Sequence, residues 1–203
     1  MIKTMAASSH TQRLAVAHGR LRVFSLYVDF PGSIRARWAN CSIGQFAGEN
    51  WITSTELWRL DSLATSASLH KMINGEAARA DILLVTVSCL DYRQHDLMMW
   101  LESLALWSTD RQDSGLLVGV FGDDDRHASE LKWTLEQCRN SSRAMNRDFI
   151  WHQMETGATE NFVWLKEHLN QFLGRKQART EKPLISGLPA GVTPLPAVPV
   201  PPL

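Results

Sequence analysis

The run 81–90, DILLVTVSCL, constrains the fold of this chain more than any other stretch. Ile82, Val85 and Val87 favour an extended backbone, and no residue between them is charged. A strand with apolar residues on both faces is buried on both faces, which is typical of a central parallel strand between two helix layers. Residues 88–91 then lie at its carboxyl end, where open α/β sheets bind their ligands.

Four other apolar runs have the character of strands, and helical patterns lie between them. The predicted strands are 21–28, 52–60, 115–121 and 148–152. The first predicted helix begins at Pro31 or Ser33 and frays near 44–48; the others are about 62–74, from 91 or 96 to about 107, about 126–145, and the stretch introduced by 157–159. Such alternation with short loops predicts parallel strands joined by right-handed crossovers. We therefore predict one α/β domain over 20–173, a three-layer α/β/α sandwich with a five-stranded parallel sheet in the order 2-1-3-4-5.

Spacing within the predicted helices indicates which residues face the core. Ile34, Trp38 and Cys41 are four and three residues apart, so the first helix is predicted to bury them. Asn74 followed by glycine is a typical stop signal, so the second helix is predicted to end there. Together with Cys89 and Cys138, Cys41 makes an odd, scattered set without CxxC, which predicts buried free thiols in a reducing compartment.

The two ends of the chain differ from its middle in composition. Residues 1–19 are small and polar without a strong period, and we interpret them as a flexible N-terminal arm. Seven of the eight prolines lie in 183–202, so 174–203 is predicted to be a Pro-rich disordered tail. Such a tail is either a linker or a recognition segment, and this one lacks the aromatic or basic anchors of a PxxP ligand.

The charge distribution argues against several classes of function. The chain has 21 basic and 21 acidic residues, but 29–173 holds only 13 of the basic ones and 20 of the acidic ones. An acidic core between basic flanks is unlike a nucleic-acid-binding domain, so no nucleic-acid partner is expected. No stretch has the length of a membrane span, and no apolar signal-peptide region is present at the N-terminus, so we expect a cytoplasmic protein without a membrane partner.

Acidic and small residues follow the first, third and fourth predicted strands. In strand order 2-1-3-4-5 the switch point lies between strands 1 and 3, so loops 29–33, 88–91 and 122–125 meet at one edge of the sheet. This placement predicts a cofactor-binding pocket there. Its candidate residues are Asp29, Gly32, Ser33, Ser88 and Asp91.

The carboxylates at this edge allow two interpretations. Asp29, Asp123 and Asp124 are candidate magnesium ligands, since a hard cation prefers oxygen. The alternative is that Asp29, Asp91 and Asp125 cap helices by accepting hydrogen bonds from free N–H groups and complementing the helix dipole.

This strand pattern with an acidic edge resembles the receiver domain of response regulators, over most of 20–173. A receiver has an acidic pair after its first strand, whereas Asp29 stands alone here. Its phosphate-accepting Asp lies five residues after the Asp that begins strand 3, and counted from Asp81 that position is Thr86. The resemblance implies the scaffold, and these departures predict that phosphotransfer chemistry is absent, unless Asp91 is displaced into the role of the acceptor.

Two further receiver features are replaced in this chain. The hydroxyl residue after strand 4 corresponds to Gly122 or Asp123. The lysine after strand 5 corresponds to about His152 or Gln153. Of the four receiver features, this chain therefore retains only one acid.

The pattern also resembles flavodoxins, whose first loop is rich in Ser, Thr and Gly and wraps a phosphate with its backbone N–H groups. Here that loop, 29–33 (DFPGS), has one glycine, one hydroxyl and a proline without an N–H. The resemblance implies a flavodoxin-like fold and leaves a flavin or nucleotide site at the next helix start as an alternative. GxGxxG, GxxxxGK[ST] and GxSxG motifs are absent from the sequence.

Helix periodicity predicts an exposed apolar surface away from this edge. On the helix over 126–145, Trp133 points almost directly away from the predicted core face. On the preceding helix, Met99 and Leu106 do the same. Crossovers of equal hand should place these two helices side by side, so the three residues predict an interface for a protein partner or a homodimer, unless the N-terminal arm or the tail covers them.

Two functions remain open from the sequence. The first is a non-catalytic regulatory or protein-interaction domain on a receiver-like scaffold, which the missing catalytic motifs favour. The second is an enzyme or a nucleotide- or flavin-binding protein that uses the carboxylates at the strand ends, with magnesium as a possible cofactor. The fold class hosts both functions and cannot separate them.

Overall fold

A computed structural model describes residues 19–88, 93–108, 114–122, 128–154 and 162–180. Its strands are β1 (Gly19–Tyr27), β2 (Trp51–Arg59), β3 (Ile82–Val87), β4 (Gly115–Gly122) and β5 (Arg147–Met154). Its helices are α1 (Phe30–Ala47), α2 (Ala67–Arg79), α3 (Arg93–Trp107), α4 (Ala128–Ala144) and α5 (Val163–Thr180), with a short 3-10 helix at Leu60–Ala64. Strands and helices therefore alternate along the chain as predicted.

The five strands form one parallel sheet in the order β2-β1-β3-β4-β5. This order confirms the predicted flavodoxin-like α/β fold. In the register of the sheet, Tyr27 is opposite Thr86 and Val87 is opposite Phe121. The carboxyl ends of β1, β3 and β4 therefore lie at one edge, as the switch-point argument requires.

The central position of β3 follows from its sequence. All six of its residues are buried. Leu83, Val85 and Val87 pack in a core with α2, α3 and α4 on one face of the sheet. Ile82 and Leu84 pack in a second core with α1 and α5 on the other face. The apolar run predicted to lie between two helix layers does so.

The orientation of α1 differs from the predicted one. Ile34 and Trp38 are 37% and 49% exposed, and Cys41 is exposed as well. The face that packs on the sheet is made mainly of small residues, among them Ala36 and Ala39. Such residues let the helix backbone approach the sheet closely, so the larger apolar residues lie on the outside.

The two described cysteines have opposite environments. Cys138 is buried on α4, as predicted, and burial raises the pKa of its thiol to about 12. The prediction that Cys41 is buried is wrong, because Cys41 belongs to the outward face of α1. Cys89 lies outside the described residues.

Helix α2 does not stop at Asn74 and Gly75 but continues to Arg79. The Asn74 side chain is buried, and its Oδ1 accepts a 2.8 Å hydrogen bond from Nε1 of Trp100 on α3. Its amide nitrogen lies 3.3 Å from Nε2 of His70. These contacts hold Asn74 inside a helix, which explains why the local stop signal does not act.

Helix α5 crosses the boundary predicted at residue 173 and ends at Thr180. A tertiary contact fixes this extension, because Nζ of Lys176 lies 2.6 Å from Oδ1 of Asp81, just before β3. Asp81 Oδ2 also accepts a 2.9 Å hydrogen bond from the backbone N–H of Arg22 in β1. The last helix therefore ties two strands together beyond the predicted end of the domain; residues 1–18 and 181–203 lie outside the described residues.

None of the helices in the described part of the chain combines the length and the apolarity that a bilayer crossing requires.

Candidate functional site

Asp29 follows β1 at the switch point and caps α1. Its backbone is extended, and its Oδ1 accepts a 2.7 Å hydrogen bond from the N–H of Gly32. Its Oδ2 accepts a 2.9 Å hydrogen bond from the N–H of Ser88, just after β3. Both carboxylate oxygens are therefore engaged by backbone donors, one on α1 and one beyond the central strand. The capping interpretation of Asp29 is confirmed.

Gly32 is packed where a larger residue would not fit. A Cβ added there would lie 2.8 Å from Oδ1 of Asp29 and 3.0 Å from the carbonyl oxygen of Thr86. The Thr86 hydroxyl donates a 2.8 Å hydrogen bond to the carbonyl oxygen of Gly32. Thr86 itself is completely buried. The position that corresponds to the receiver phosphate acceptor thus holds the first turn of α1 against β3.

The two predicted serines also make hydrogen bonds to this framework. The Ser33 hydroxyl donates to the carbonyl oxygen of Phe30 at 2.7 Å. The Ser88 hydroxyl accepts a 2.8 Å hydrogen bond from the guanidinium of Arg35, a side chain that is only 8% exposed. The structure therefore brings Asp29, Gly32, Ser33 and Ser88 together at one edge, and the cofactor-binding pocket predicted there stays a prediction.

Arg35 is absent from the residues that the sequence predicts for this site. It lies three residues after Gly32, so both face the sheet from α1. Its sequence neighbours include no acid that would mark a partner. Only the tertiary packing of α1 against the end of β3 reveals that this charge is buried and directed at Ser88.

Gly122, the last residue of β4, lies at the same edge of the sheet. A Cβ added at Gly122 would lie 2.0 Å from the carbonyl oxygen of Ser88, a backbone atom that cannot be displaced cheaply. The ends of β3 and β4 are therefore in direct backbone contact at the switch point. Glycine is required there for packing.

The remaining predicted site residues lie outside the described part of the chain. These are Asp91, Asp123 and Asp124, together with the alternative cap Asp125. Within the described ranges no group of three or more His, Cys, Asp or Glu side chains could hold a metal ion. The magnesium site therefore stays a prediction.

His152 stands at about the position of the receiver lysine. Its ring stacks on Trp164 with a centroid separation of 4.9 Å and an interplanar angle of 20°. Partial burial lowers the pKa of His152, because it disfavours the charged ring. His152 thus serves as an aromatic contact between β5 and α5.

The arrangement at Asp29 restricts the chemistry of this edge. A phosphate at the α1 N-terminus would compete with a carboxylate that already accepts from Gly32. A cation bound by Asp29 would compete with two backbone N–H groups. Either ligand would therefore meet a carboxylate whose two oxygens already accept hydrogen bonds from the backbone.

The predicted interface residues lie on neighbouring helices on one face of the sheet. Helix α3 packs beside α4. Met99 and Leu106 on α3 are 57% and 77% exposed, and Trp133 on α4 is 44% exposed. We call these three residues and the surface around them the α3–α4 face.

The direction of Trp133 follows from the contacts of α4. Leu135 and Arg139 line a cleft against Trp151 of β5. At 100° per residue, Trp133 lies roughly 160° around the helix from Leu135. Trp133 is therefore on the side of α4 that faces α3.

Comparison with known proteins finds likeness only among solved structures. No family model and no curated protein matches the sequence. A short-chain flavodoxin associated with a PDU bacterial microcompartment is 14% identical, with 79% of this chain and 98% of that chain covered and a TM-score of 0.45. A flavodoxin of Streptococcus pneumonia TIGR4 is 13% identical, with coverages of 78% and 99% and a TM-score of 0.44.

Proposed function

We propose that this protein is a non-catalytic protein-interaction domain on a flavodoxin-like scaffold, without phosphotransfer or flavin chemistry. One observation carries the proposal. At the edge where this fold binds ligands, both oxygens of Asp29 accept hydrogen bonds from the chain's own backbone, at Gly32 and Ser88. The carboxylate is thereby used to hold α1 and β3 together.

The environment of Thr86 supports the same proposal. A phosphate acceptor must reach its donor, but Thr86 is fully buried and its hydroxyl is engaged with the carbonyl oxygen of Gly32. Thr86 therefore cannot act as the phosphate acceptor of a receiver, and among the described residues no Asp stands at that position.

The α3–α4 face supports an interaction function. Met99, Leu106 and Trp133 are large apolar side chains with between 44% and 77% exposure. Exposed apolar surface of this kind marks protein interfaces, and Trp and Met are enriched there. We therefore assign partner binding to this face. A cytoplasmic location and a protein partner are parts of the same proposal.

A thermal-shift screen tests the proposed function. The full chain is heated alone and with magnesium, FMN, ADP, ATP and acetyl phosphate, each in large excess. We expect no shift in Tm, because a ligand that binds only the folded state would raise it. A concentration-dependent rise with FMN, a nucleotide or magnesium would contradict the proposal and favour the ligand-binding alternative.

A further inference from the structure

Helix α1 has an apolar outer stripe as well as a buried face. Phe30 is 77% exposed, Ile34 37% and Trp38 49%, and the three residues are four apart. At 100° per residue they drift by only about 40° per step and so form one line along the helix. We call Phe30, Ile34 and Trp38 the α1 stripe.

The charges beside the α1 stripe are positive. Helix α1 contains no Asp or Glu, and Arg37, next to Trp38, is exposed. Nζ of Lys166 on α5 lies 5.9 Å from the ring centre of Phe46, eight residues beyond Trp38 on α1. The charge that α1 itself exposes beside the stripe is therefore positive.

The charges on the outer surface of α3 are negative. Asp96 and Glu102 are exposed, and both lie three residues from Met99. After Arg93, its first residue, α3 contains no Lys or Arg. The α3 part of the α3–α4 face is therefore an apolar ridge in an acidic setting, which is the complement of the α1 stripe.

We propose that the α1 stripe of one molecule docks on the α3–α4 face of a second copy of this chain. This inference deepens the proposed function and rests on it, because it names the partner of the α3–α4 face. Pairing two α1 stripes would bring Arg37 against Arg37, and pairing two α3–α4 faces would bring four carboxylates together. Among the charges carried by α1 and α3, only the mixed pairing joins opposite signs, which favours this partner and this orientation; on α4, the exposed Lys132 lies next to Trp133.

The two surfaces lie on opposite faces of the sheet. Helix α1 packs in the core with α5, whereas α3 and α4 pack in the core on the other side. A pairing between different surfaces does not close on two molecules when those surfaces point in opposite directions. Each molecule can therefore bind one neighbour through each face, so association extends beyond two chains.

Sedimentation of the full chain over about 5–500 µM is the first arm of the test, since contacts smaller than the roughly 1,600 Å² of a standard interface bind weakly. We expect the weight-average mass to rise with concentration without a plateau at two chains. The paired variants Ile34→Gln with Trp38→Gln, and Met99→Gln with Leu106→Gln, should each remain monomeric. Met72→Gln, at an apolar site 49% exposed on α2, is the matched control and should associate like the wild type.

Mixing the two double variants is the decisive arm. Each variant keeps the surface that the other has lost, so an equimolar mixture should form a complex of two chains and grow no further. The proposal is overturned if the wild type is monomeric throughout, if either double variant alone associates like the wild type, or if the mixture stays monomeric. Association of one variant alone would indicate pairing of like surfaces.

A charge pair provides independent variants in case a double variant fails to fold. Arg37→Glu and Glu102→Lys should each weaken association at least tenfold, and their mixture should associate again. Unchanged association of both single variants would overturn the charge argument and with it the mixed pairing. Failure of this inference is distinguishable from failure of the proposed function, because ligand stabilisation in the thermal-shift screen is measured separately from mass.

Discussion

At the scale of single residues, Asp29 shows how one side chain determines what its site can do. Its position after the first strand predicts either a metal ligand or a helix cap, and sequence cannot separate the two because both need a free oxygen. The capping contacts of Asp29 are seen only in the tertiary structure, where Ser88, just after β3, supplies a second backbone donor. Local sequence patterns do not predict that Arg35 is part of the site, because its contact with the same serine also depends on tertiary structure.

Replacing Asp29 tests its structural role. Asp29→Ala should lower the free energy of unfolding by about 2 kcal/mol, because it removes the α1 cap and leaves the Ser88 N–H without this acceptor. Asp29→Asn keeps one carbonyl oxygen and should lose about half as much. Urea denaturation measures both losses, and an unchanged midpoint in Asp29→Ala would contradict the structural role.

The cysteines provide a second test at this scale. In a Cys89→Ser background at pH 8, a thiol reagent should label Cys41 rapidly and Cys138 only after unfolding. Cys138 is protected by burial, and its pKa of about 12 keeps the thiol protonated. Because the folded pKa exceeds the ordinary value of 9.0, the associated stability is present below pH 9 and is lost as pH rises toward 12. Rapid labelling of both thiols in the native protein would refute this assignment.

At the scale of elements, strands were easier to predict than helix faces. The apolar run of β3 has only one interpretation, since both of its faces are buried. Helix α1 carries small residues on one side and Ile34 and Trp38 on the other. Periodicity identifies the stripe of large apolar residues as the core face. The close approach of α1 to the sheet instead requires the stripe of small residues to face the core. Exposed aromatic residues on a helix of this kind cannot be recognised without the packing of the sheet.

The contact between α2 and α3 can be tested by substitution. It involves helix α2, whose end the sequence predicts too early. Trp100→Phe removes the donor to Asn74 and leaves a buried amide oxygen without that hydrogen bond. We expect a loss of about 1–3 kcal/mol in the free energy of unfolding, with the helical content unchanged. Circular dichroism during urea denaturation measures both quantities. Equal stability of the variant and the wild type would show that the contact is unimportant.

The end of α5 can be tested by two truncations. A chain ending at residue 180 should keep the stability of the full chain. A chain ending at residue 173 loses the contact between Lys176 and Asp81 and should be less stable by about 1–2 kcal/mol. The ion pair between Arg175 and Asp148 is about half exposed and should add little. Thermal unfolding compares the three chains, and equal Tm values for both truncations would place the domain end at 173.

At the scale of the whole molecule, the structure confirms the predicted sheet. It describes only some of the predicted site residues. Strand order follows from alternation and handedness, which are general constraints on how a chain can cross a sheet. Whether a site binds a ligand depends on which hydrogen bonds its polar groups already make, and Thr86 shows that such bonds join residues far apart in sequence. The proposed functional surfaces are accordingly on the helices, away from the strand ends.

The backbone amides of Gly32 and Ser88 test the central claim most directly, because each donates to one oxygen of Asp29. A cation bound by Asp29, or a phosphate bound at the α1 N-terminus, would lie next to these amides and change their resonances. In ¹⁵N-labelled protein titrated with magnesium, acetyl phosphate and FMN, we predict that both amide resonances stay unchanged. A saturable shift of either resonance would show that the edge binds a ligand and would contradict the assignment of this protein as a non-catalytic interaction domain.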